Sequence, residues 1–477
     1  MKEYTTESIR NVALASHSSA GKTILTEAML HATGATTRMG RIEDGSTISD
    51  FDDQEIKRTI SLYTSVIPVE YKNSKINFLD TPGYTDFVGE IVSAFSVADS
   101  AMILIDSVAG AEVGTELALH YCDVFKLPRF IVINKMDREN AAFVKALSSI
   151  ATYSDIRTIP VQLPLGEKLN FKGVIDLVSM KAYKADGKTA EEIPAEFKEA
   201  AENARVALVE AAAEGEDELL EKYLDSGELS NEEVLRGLKA VVRSGAFAPV
   251  FVTSVSHQIG IFPLLDAILD YMPSPKEAPA VTAEGKDGPV ELTHSDSGPL
   301  AAYVWKTTAD PFVGKQTFFK VLSGVINADS RVWNPKRNVE ERLGSIGVPR
   351  GKESIGVKVV HSGDIGIVPK LSETITGDTL CDKAHPLTIP MPHYPNALYR
   401  VSILPKTQAD STKISPTLTR LTEEDMTLSW YMEPATNQTI LQGMGDQHID
   451  VAIKRAESKF QVNLLVGEPK VPYQETI

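Results

Sequence analysis

The stretch SHSSAGKT, residues 16–23, lies between a short apolar run and an amphipathic segment. The run 11–15 predicts a buried strand, and the segment 23–31 predicts a helix. The same alternation of short apolar runs and helical stretches continues as far as about residue 272. Such alternation is typical of a doubly wound, mostly parallel sheet with helices on both faces, so an α/β domain is expected over residues 1–280.

The stretch SHSSAGKT fits the phosphate-loop pattern GxxxxGK[ST], except that Ser16 stands in place of the first glycine. In such a loop, successive backbone N–H groups at a helix N-terminus hold phosphate oxygens, and Gly21 permits their close approach. Lys22 would reach the β- and γ-phosphates, and the Thr23 hydroxyl could ligate Mg²⁺. The alternative is an ordinary strand-turn-helix with an exposed lysine.

The turn DTPG, residues 80–83, follows the predicted strand 76–79. A bare Asp-x-x-Gly is mostly just a turn. Its order and spacing after the phosphate loop favour a functional interpretation, in which Asp80 meets Mg²⁺ through water and the Gly83 N–H faces the γ-phosphate.

The motif INKMD, residues 133–137, follows the predicted strand 130–133. Guanine presents an N1–H and an exocyclic amine on one edge, and the Asp137 carboxylate can accept from both. Asn134 can bind nearby backbone and base, and the Lys135 stem can lie over the ring. A polar loop that caps a strand is the alternative. TSV at 253–255 could add backbone N–H groups for guanine O6.

The rest of the chain predicts further units. We expect an inserted subdomain at about 158–248, with its own small strand set and helices. Val/Ile/Thr-rich runs broken by Gly and Asp over 290–388 predict a β-barrel. The final segment 396–477 reads βαββαβ, the ferredoxin-like arrangement.

Composition limits the function classes. The chain has 477 residues, which is too long for a single hydrophobic core. Its net charge of −17 argues against sequence-independent adhesion to free DNA. Residues 185–235 hold sixteen acidic against four basic side chains. Cys122 and Cys381 lie far apart, which excludes a disulfide framework. Without a signal-peptide h-region or a membrane-length apolar run, we expect a cytoplasmic monomer.

Taken together, these motifs resemble a translation-factor GTPase, specifically the elongation factor G family and its divergent elongation-factor-G-like paralogues. QEIKRTISL and DTPGYTDF are similar to that family's two switch segments, and EPAT…QTILQGMGDQHID and VPYQETI to its third domain. The resemblance implies GTP/GDP and Mg²⁺ as cofactors and the ribosome, both rRNA and proteins, as partner. The acidic helices are either a solvated face or a contact for the ribosomal stalk, and the basic residues of 333–352 either meet rRNA or form an exposed loop.

The resemblance also assigns roles to individual residues. Ser61 takes the place of a switch threonine and keeps the hydroxyl ligand. The catalytic candidates are Tyr84, Lys22 and Gly83, and the metal ligands are Thr23, Ser61 and Asp80. The nucleotide-binding candidates are Ser16, His17, Ser18, Ser19, Ala20, Gly21, Lys22, Thr23, Asp80, Thr81, Pro82, Gly83, Tyr84, Asn134, Lys135, Met136, Asp137, Ser254 and Val255.

Several positions depart from the family pattern. Ser19 replaces an aspartate and Thr59 a glycine, which affects details of ion binding and switch geometry. Tyr84 stands where the family usually has a water-positioning histidine, and a tyrosine hydroxyl is neutral at pH 7. Either Tyr84 still orients a water, or it only packs in the switch, so we expect slow hydrolysis.

The family continues into a tRNA-like fourth domain and a fifth domain, which we expect to be absent from this chain, through truncation or as a natural three-domain factor. The leading hypothesis is a ribosome-linked GTPase. The rivals are a non-hydrolysing GTP-dependent ribosome-binding switch and a release-factor-recycling-type GTPase. The elongation-factor-like third domain argues against the second of these.

Overall fold

The computed structural model describes residues 1–185, 187–310 and 313–471. Along this chain an α/β unit is followed by an antiparallel β-rich unit and then by a small α+β unit. This order confirms the predicted fold class. Most of the closing stretch VPYQETI lies outside the described residues.

The first unit contains a seven-stranded sheet with helices around it. Its strands are β1 (Ile9–Ala15), β2 (Ser65–Tyr71), β3 (Ser74–Asp80), β4 (Ser100–Asp106), β5 (Arg129–Asn134), β6 (Arg157–Pro160) and β11 (Phe247–Val252). Its helices are α1 (Lys22–Ala32), α2 (Asp53–Arg58), α3 (Val88–Phe95), α4 (Val113–Val124), α5 (Phe143–Ser149) and α9 (Ile261–Tyr271). The strand order is β2-β3-β1-β4-β5-β11-β6, in which β2 pairs antiparallel with β3 and the other neighbours pair parallel.

Alternation along β1 explains why helices cover both faces of this sheet. Val12 and Leu14 pack with α1 and α9, whereas Ala13 and Ala15 pack with α3, α4 and α5. Because both faces are buried, the strands are continuous apolar runs. The loops after the carboxyl ends of β1, β3, β5 and β11 therefore meet at one edge, where ligands bind in this class of sheet.

The segment between β6 and β11 forms a subsidiary layer. It contains β7 (Gln162–Leu165), β8 (Gly173–Asp176), β9 (Lys181–Lys184), β10 (Ala190–Glu191), α6 (Ala195–Ala213), α7 (Asp217–Ser226) and α8 (Asn231–Ser244). The predicted insertion at 158–248 began too early and ended too late, because β6 and β11 pair with each other in the main sheet, with Thr158 opposite Ala248. The four strands β7–β10 form their own antiparallel sheet.

The second unit is antiparallel throughout its described pairings. Its strands are β12 (Val281–Gly285), β13 (Gly288–Leu292), β14 (Ala301–Asp310), β15 (Gly314–Ser323), β16 (Ile326–Asn327), β17 (Arg331–Asn334), β18 (Val339–Arg342), β19 (Ile346–Arg350), β20 (Glu353–Val357), β21 (Val359–Val360), β22 (Ile365–Pro369), β23 (Thr379–Cys381) and β24 (Leu387–Thr388). Eight of them form the main sheet, in the order β18-β17-β23-β14-β15-β22-β19-β20.

The third unit has the predicted βαββαβ order. Its elements are β25 (Tyr399–Pro405), α10 (Gln408–Ser411), α11 (Ile414–Glu424), β26 (Ser429–Glu433), β27 (Gln438–Gly443), α12 (Asp446–Phe460) and β28 (Leu464–Gly467). The sheet order β26-β27-β25-β28 is antiparallel, as a ferredoxin-like unit requires. Across the described ranges of all three units, every helix is too short or too polar to span a bilayer.

Candidate functional site

The phosphate loop joins β1 to α1 and turns sharply at its end. Gly21 has φ +109°, and a Cβ there would lie 2.5 Å from Asn134 Nδ2, so both conformation and space require glycine. The Lys22 ammonium curls back over the loop, where it donates to Ser16 Oγ at 2.9 Å. Burial lowers the pKa of Lys22 to about 8, against the opposing pull of Asp80 and Asp50. A nearby anion would therefore stabilise this charge strongly.

The DTPG turn leaves the end of β3 and packs directly on the phosphate loop. A Cβ at Gly83 would lie 2.7 Å from Lys22 Nζ and 2.8 Å from Ser18 N. The structure thus brings the two predicted phosphate-binding elements together. Thr81 faces away from them, because its hydroxyl donates to Leu14 O at 2.6 Å in the sheet.

The three predicted metal ligands meet at the start of α1. Thr23 Oγ1 donates to Asp80 Oδ2 at 2.8 Å and lies 3.2 Å from Ser61 Oγ. Ser49, which the sequence analysis missed, donates to the same Asp80 oxygen at 2.6 Å. The other oxygen, Asp80 Oδ1, is buried and makes no hydrogen bond within the described chain. Burial raises the pKa of Asp80.

Asp50 is a second buried carboxyl beside this cluster, and the sequence analysis also missed it. Neither of its oxygens makes a well-formed hydrogen bond to the described residues, although the nearby Ser61 hydroxyl lowers its pKa somewhat. Burial and the charge of Asp80 outweigh that effect and raise the pKa of Asp50 to about 7. A cation at this place would favour the ionised form of both carboxyls.

These groups fit Mg²⁺. Hydroxyl and carboxylate oxygens are the ligands that this hard cation takes, and it is usually bound by one or two carboxylates together with substrate phosphates. No cluster of three or more His, Cys, Asp or Glu side chains suited to a metal occurs among the described ranges. Phosphate oxygens of a nucleotide would therefore have to complete the coordination.

Glu27 on α1 holds the loop that delivers Ser49 and Asp50. Its carboxylate is buried and accepts from Gly40 N at 2.9 Å and from Ile48 N at 2.6 Å. A carboxylate that accepts from peptide groups far along the chain fixes the path of the intervening loop. The sequence offers no spacing signal for this contact.

The base end of the cleft is organised by Asn134. Its Nδ2 donates to Ala20 O at 2.9 Å, and its Oδ1 accepts from Thr253 Oγ1 at 3.1 Å and from Val255 N at 3.2 Å. One side chain thus ties the phosphate loop, the end of β5 and the turn after β11 together. Lys135 has φ +63° and donates to Asp106 Oδ2 at 2.7 Å, which fixes its stem.

Asp137, the predicted reader of guanine, stands beside the turn after β11. Its Oδ1 accepts from Ser254 Oγ at 2.6 Å, and its Oδ2 lies 3.4 Å from His257 Nδ1. The amides of Ser254 and Val255 donate to Ile259 O and Asn134 Oδ1, and their contact with guanine O6 stays a prediction. The next residue along the turn, Ser256, also lines the cleft, and its amide is a further candidate.

Two other predicted nucleotide-binding side chains point elsewhere. Met136 is fully buried in the hydrophobic core, so its side chain does not face the cleft. His17 Nδ1 accepts from Gly114 N at 3.2 Å, beside the start of α4. Neither residue is among those that line the cleft.

An open cleft of about 770 Å³ runs between the phosphate loop and the base end. This volume is in the range of small-molecule sites. The predicted residues that line it are Ser18, Ser19, Gly21, Lys22, Thr23, Ser61, Gly83, Tyr84, Asn134, Lys135 and Val255. The predicted residues outside this lining are Ser16, His17, Ala20, Asp80, Thr81, Pro82, Met136, Asp137 and Ser254. Lining residues that the sequence analysis missed include Met39, Arg41, Asp50 and Arg138.

Tyr84 follows the DTPG turn at the mouth of the cleft. Its backbone is extended, with φ −89° and ψ 137°, and its carbonyl accepts from Phe87 N at 3.1 Å. The side chain is 43% exposed, so it is not fixed in the core. The ring can therefore reach towards the cleft or towards a docked partner.

Fold and cleft together define the class of doubly wound α/β proteins with a phosphate loop. Family models match in three consecutive parts: "Elongation factor Tu GTP binding domain" over residues 7–274, "Elongation factor G domain 2" over 299–383 and "Elongation Factor G, domain III" over 394–468. The chain belongs to the elongation factor G family of GTP-binding translation factors.

A solved structure is similar to this chain over nearly its whole length. The crystal structure of the protein ttk003000868 from Thermus thermophilus is 32% identical in sequence, with a TM-score of 0.87. The match covers 98% of this chain and 68% of that chain. All three units described above therefore have a counterpart in one known architecture.

Proposed function

We propose that the chain binds GTP with Mg²⁺ in this cleft and acts on the ribosome as a GTP-dependent factor of the elongation factor G type, as a monomer in the cytoplasm. The observation that carries the proposal is the convergence of Lys22, Gly83 and Asn134 on one cleft. A phosphate-binding end and a guanine-reading end then lie at the two ends of one cleft. Family membership supports the translational role.

The roles of the side chains follow from their placement. Lys22 neutralises β- and γ-phosphate charge, and the Gly83 N–H faces the γ-phosphate. Thr23 and Ser61 would supply hydroxyl ligands to Mg²⁺, and Asp80 would hold it through water. A bound Mg²⁺ neutralises charge that develops on the phosphate oxygens. Asp137 accepts from the two donors of guanine, which adenine cannot provide.

Hydrolysis is the proposed reaction. A water attacks the γ-phosphorus, the bond to the β,γ-bridging oxygen breaks, and GDP and phosphate leave. Tyr84 follows Gly83 in the chain and lines the cleft, and its hydroxyl is the group that would orient that water. A neutral hydroxyl is a poorer positioning group than an imidazole, so we expect a slow reaction.

The exposure of Tyr84 favours one second candidate, a GTP-dependent binding switch that docks on ribosomes without turnover. A tyrosine that only meets a partner would be as exposed as this one. Both candidates share the same nucleotide cleft, so only hydrolysis separates them.

The experiment is GTP hydrolysis by the purified chain and by Tyr84→His, each with and without ribosomes. Stimulation of the wild type by something like 10³-fold, as activating groups can supply, supports the enzyme. A flat wild type that binds GTP beside a stimulated histidine variant supports the switch. Equal binding of ATP and GTP would overturn both.

A further inference from the structure

Ser61 is the one proposed metal ligand that does not sit on the central sheet or on α1. It belongs to residues 58–64, which we call the Ser61 segment, between α2 and β2. Glu55 supports this segment from inside the first unit, since its Oε1 accepts from Leu62 N at 3.0 Å and from Tyr63 N at 3.1 Å. Two of the segment's other side chains, Arg58 and Tyr63, contact the second and third units.

At its start, the Ser61 segment is held by α12 of the third unit. Arg58 forms an ion pair with Asp450 and donates through Nη1 to Gln447 Oε1 at 3.1 Å. Both partners lie near the beginning of α12, where they face the first unit. This contact fixes the position of the chain three residues before Ser61.

Beyond Ser61, the ring of Tyr63 lies near two cations from different units. The Arg455 guanidinium of α12 is 4.6 Å from the ring centroid, and Lys306 Nζ of β14 is 5.5 Å from it. Both distances are those of cation–π contacts. Arg455 is itself buried, pairs with Glu424 and donates to Thr308 Oγ1 at 2.7 Å.

The end of the segment is fastened to the second unit and to α3. Lys306 Nζ donates to Thr64 O at 3.0 Å and to Glu90 Oε2 at 2.9 Å. Thr64 N donates to the same Glu90 oxygen at 2.7 Å. The segment that carries Ser61 is thus held by contacts with all three units.

We propose that Arg58, Tyr63, Asp450 and Arg455 are positioning residues for Ser61, through which docking of the third unit sets the affinity for Mg²⁺·GTP relative to GDP. The inference rests on the proposed function, which places Ser61 at the Mg²⁺ of GTP. Thr23 and Asp80 are held by the sheet and α1 whether or not α12 is docked. Of these three ligands, Ser61 is the one whose own segment contacts α12, so the part of Mg²⁺·GTP binding that Ser61 supplies depends on α12.

By linkage the effect is reciprocal: GTP stabilises the docked third unit by the same factor by which docking tightens GTP. A change of nucleotide in the cleft therefore changes the stability of the contact with α12. No movement of the central sheet is needed for this coupling.

The test compares dissociation constants for GDP and for a β,γ-imido analogue of GTP, both with Mg²⁺, by competition with a fluorescent guanine nucleotide. Arg455→Ala is the direct variant, but it leaves the buried Glu424 unpaired and can unfold the third unit. Asp450→Ala and Tyr63→Ala avoid that cost, because the Asp450 side chain is 49% exposed and Tyr63 is uncharged. Lys454→Ala, an exposed residue of the same helix, is the matched control.

Each positioning variant should weaken binding of the GTP analogue by at least about 5-fold, the lower end of usual coupling between sites, and change GDP binding by less than about 2-fold. Arg455→Lys should recover part of the loss. Equal weakening of both nucleotides, or no change in either, overturns the inference while the proposed function stands. A wild type that binds neither guanine nucleotide overturns the proposed function itself.

Discussion

The two ends of the nucleotide cleft differ in how completely their polar groups are satisfied. At the base end, Asn134, Lys135 and Asp137 each have close hydrogen-bond partners within the described chain. At the phosphate end, Asp50 and Asp80 keep buried oxygens that no described residue donates to. The base end is therefore preorganised, whereas the phosphate end holds charge that a ligand must neutralise.

This difference shows where binding energy comes from. Buried polar groups without partners cost free energy, and a ligand that satisfies them recovers it. Preorganised groups add selectivity at little ordering cost. We therefore expect substitutions at the phosphate end to change affinity for any nucleotide, and substitutions at the base end to change the choice of base.

The largest effect is expected for Lys22→Ala. Removal of a buried charge that pairs with phosphate costs about 3 kcal/mol or more, so GTP and GDP should both bind at least about 100-fold more weakly. Isothermal titration with each nucleotide measures it. Lys145→Ala, an exposed lysine on α5, should bind as the wild type does. If Lys22→Ala bound both nucleotides as tightly as the wild type does, the phosphate end would not supply most of the binding energy.

Asp137→Asn tests the base end. The amide would offer guanine one acceptor and one donor where two acceptors are needed, at a cost of about 2 kcal/mol or roughly 30-fold in GTP affinity. Binding of ATP should not weaken, so the GTP-to-ATP preference should fall by that factor. Competition of both nucleotides against one fluorescent probe gives the ratio. A parallel loss for both would mean that Asp137 acts only on structure.

The buried carboxyls at the phosphate end also predict that the stability of the protein, without nucleotide or Mg²⁺, depends on pH. The pKa of Asp50 is raised to about 7, so the folded state binds a proton that the unfolded state has already lost, and stability falls as pH rises through this window. Between pH 6 and pH 8 a group of this kind removes about 1.4 kcal/mol from the free energy of unfolding.

Urea unfolding of the wild type and of Asp50→Asn at the two pH values measures this contribution. The variant should lose most of the slope, and Asp53→Asn, an exposed carboxyl nearby, should retain it. Saturating Mg²⁺·GTP should reduce the slope in the wild type as well, because a cation favours the ionised carboxyl. An unchanged slope in Asp50→Asn would assign the pH dependence to other groups.

The same contrast explains which parts of the site could be predicted from sequence. SHSSAGKT, DTPG and INKMD are local: each places its chemistry within a few residues of a strand end, and the parallel sheet brings those ends together. Asp50 and Ser49 lie in a long loop without periodicity, and contacts with Glu27 and Ser65, distant in the chain, help to hold that loop beside Asp80. The pairing of Tyr63 with Arg455 joins distant parts of the chain, for which a single sequence carries no signal.

The fold was predictable to a similar extent and for similar reasons. Apolar runs and helical periodicity identify the central strands and their helices. The edge strand β2 was missed because it contains Pro68 and pairs antiparallel, which departs from the βα alternation that identified its neighbours. The edge strand β6 was assigned to the insertion because a four-residue run does not reveal its partner.

The smallest effect, and the sharpest test of preorganisation, is expected for Ser254→Ala. The Ser254 hydroxyl donates to Asp137 Oδ1 at 2.6 Å and so either orients the carboxylate or competes with guanine for it. An ionised carboxylate has about four lone-pair sites, so it can accept from Ser254 and still accept both guanine donors. Orientation should therefore dominate, and loss of one such hydrogen bond, about 1 kcal/mol, should weaken GTP by roughly 5-fold. Ser256→Ala, two residues further along the turn, is the control for side-chain loss because the proposed contact there is a backbone amide. Tighter binding of GTP to Ser254→Ala would instead mean that the Ser254 hydroxyl competes with guanine for the Asp137 carboxylate.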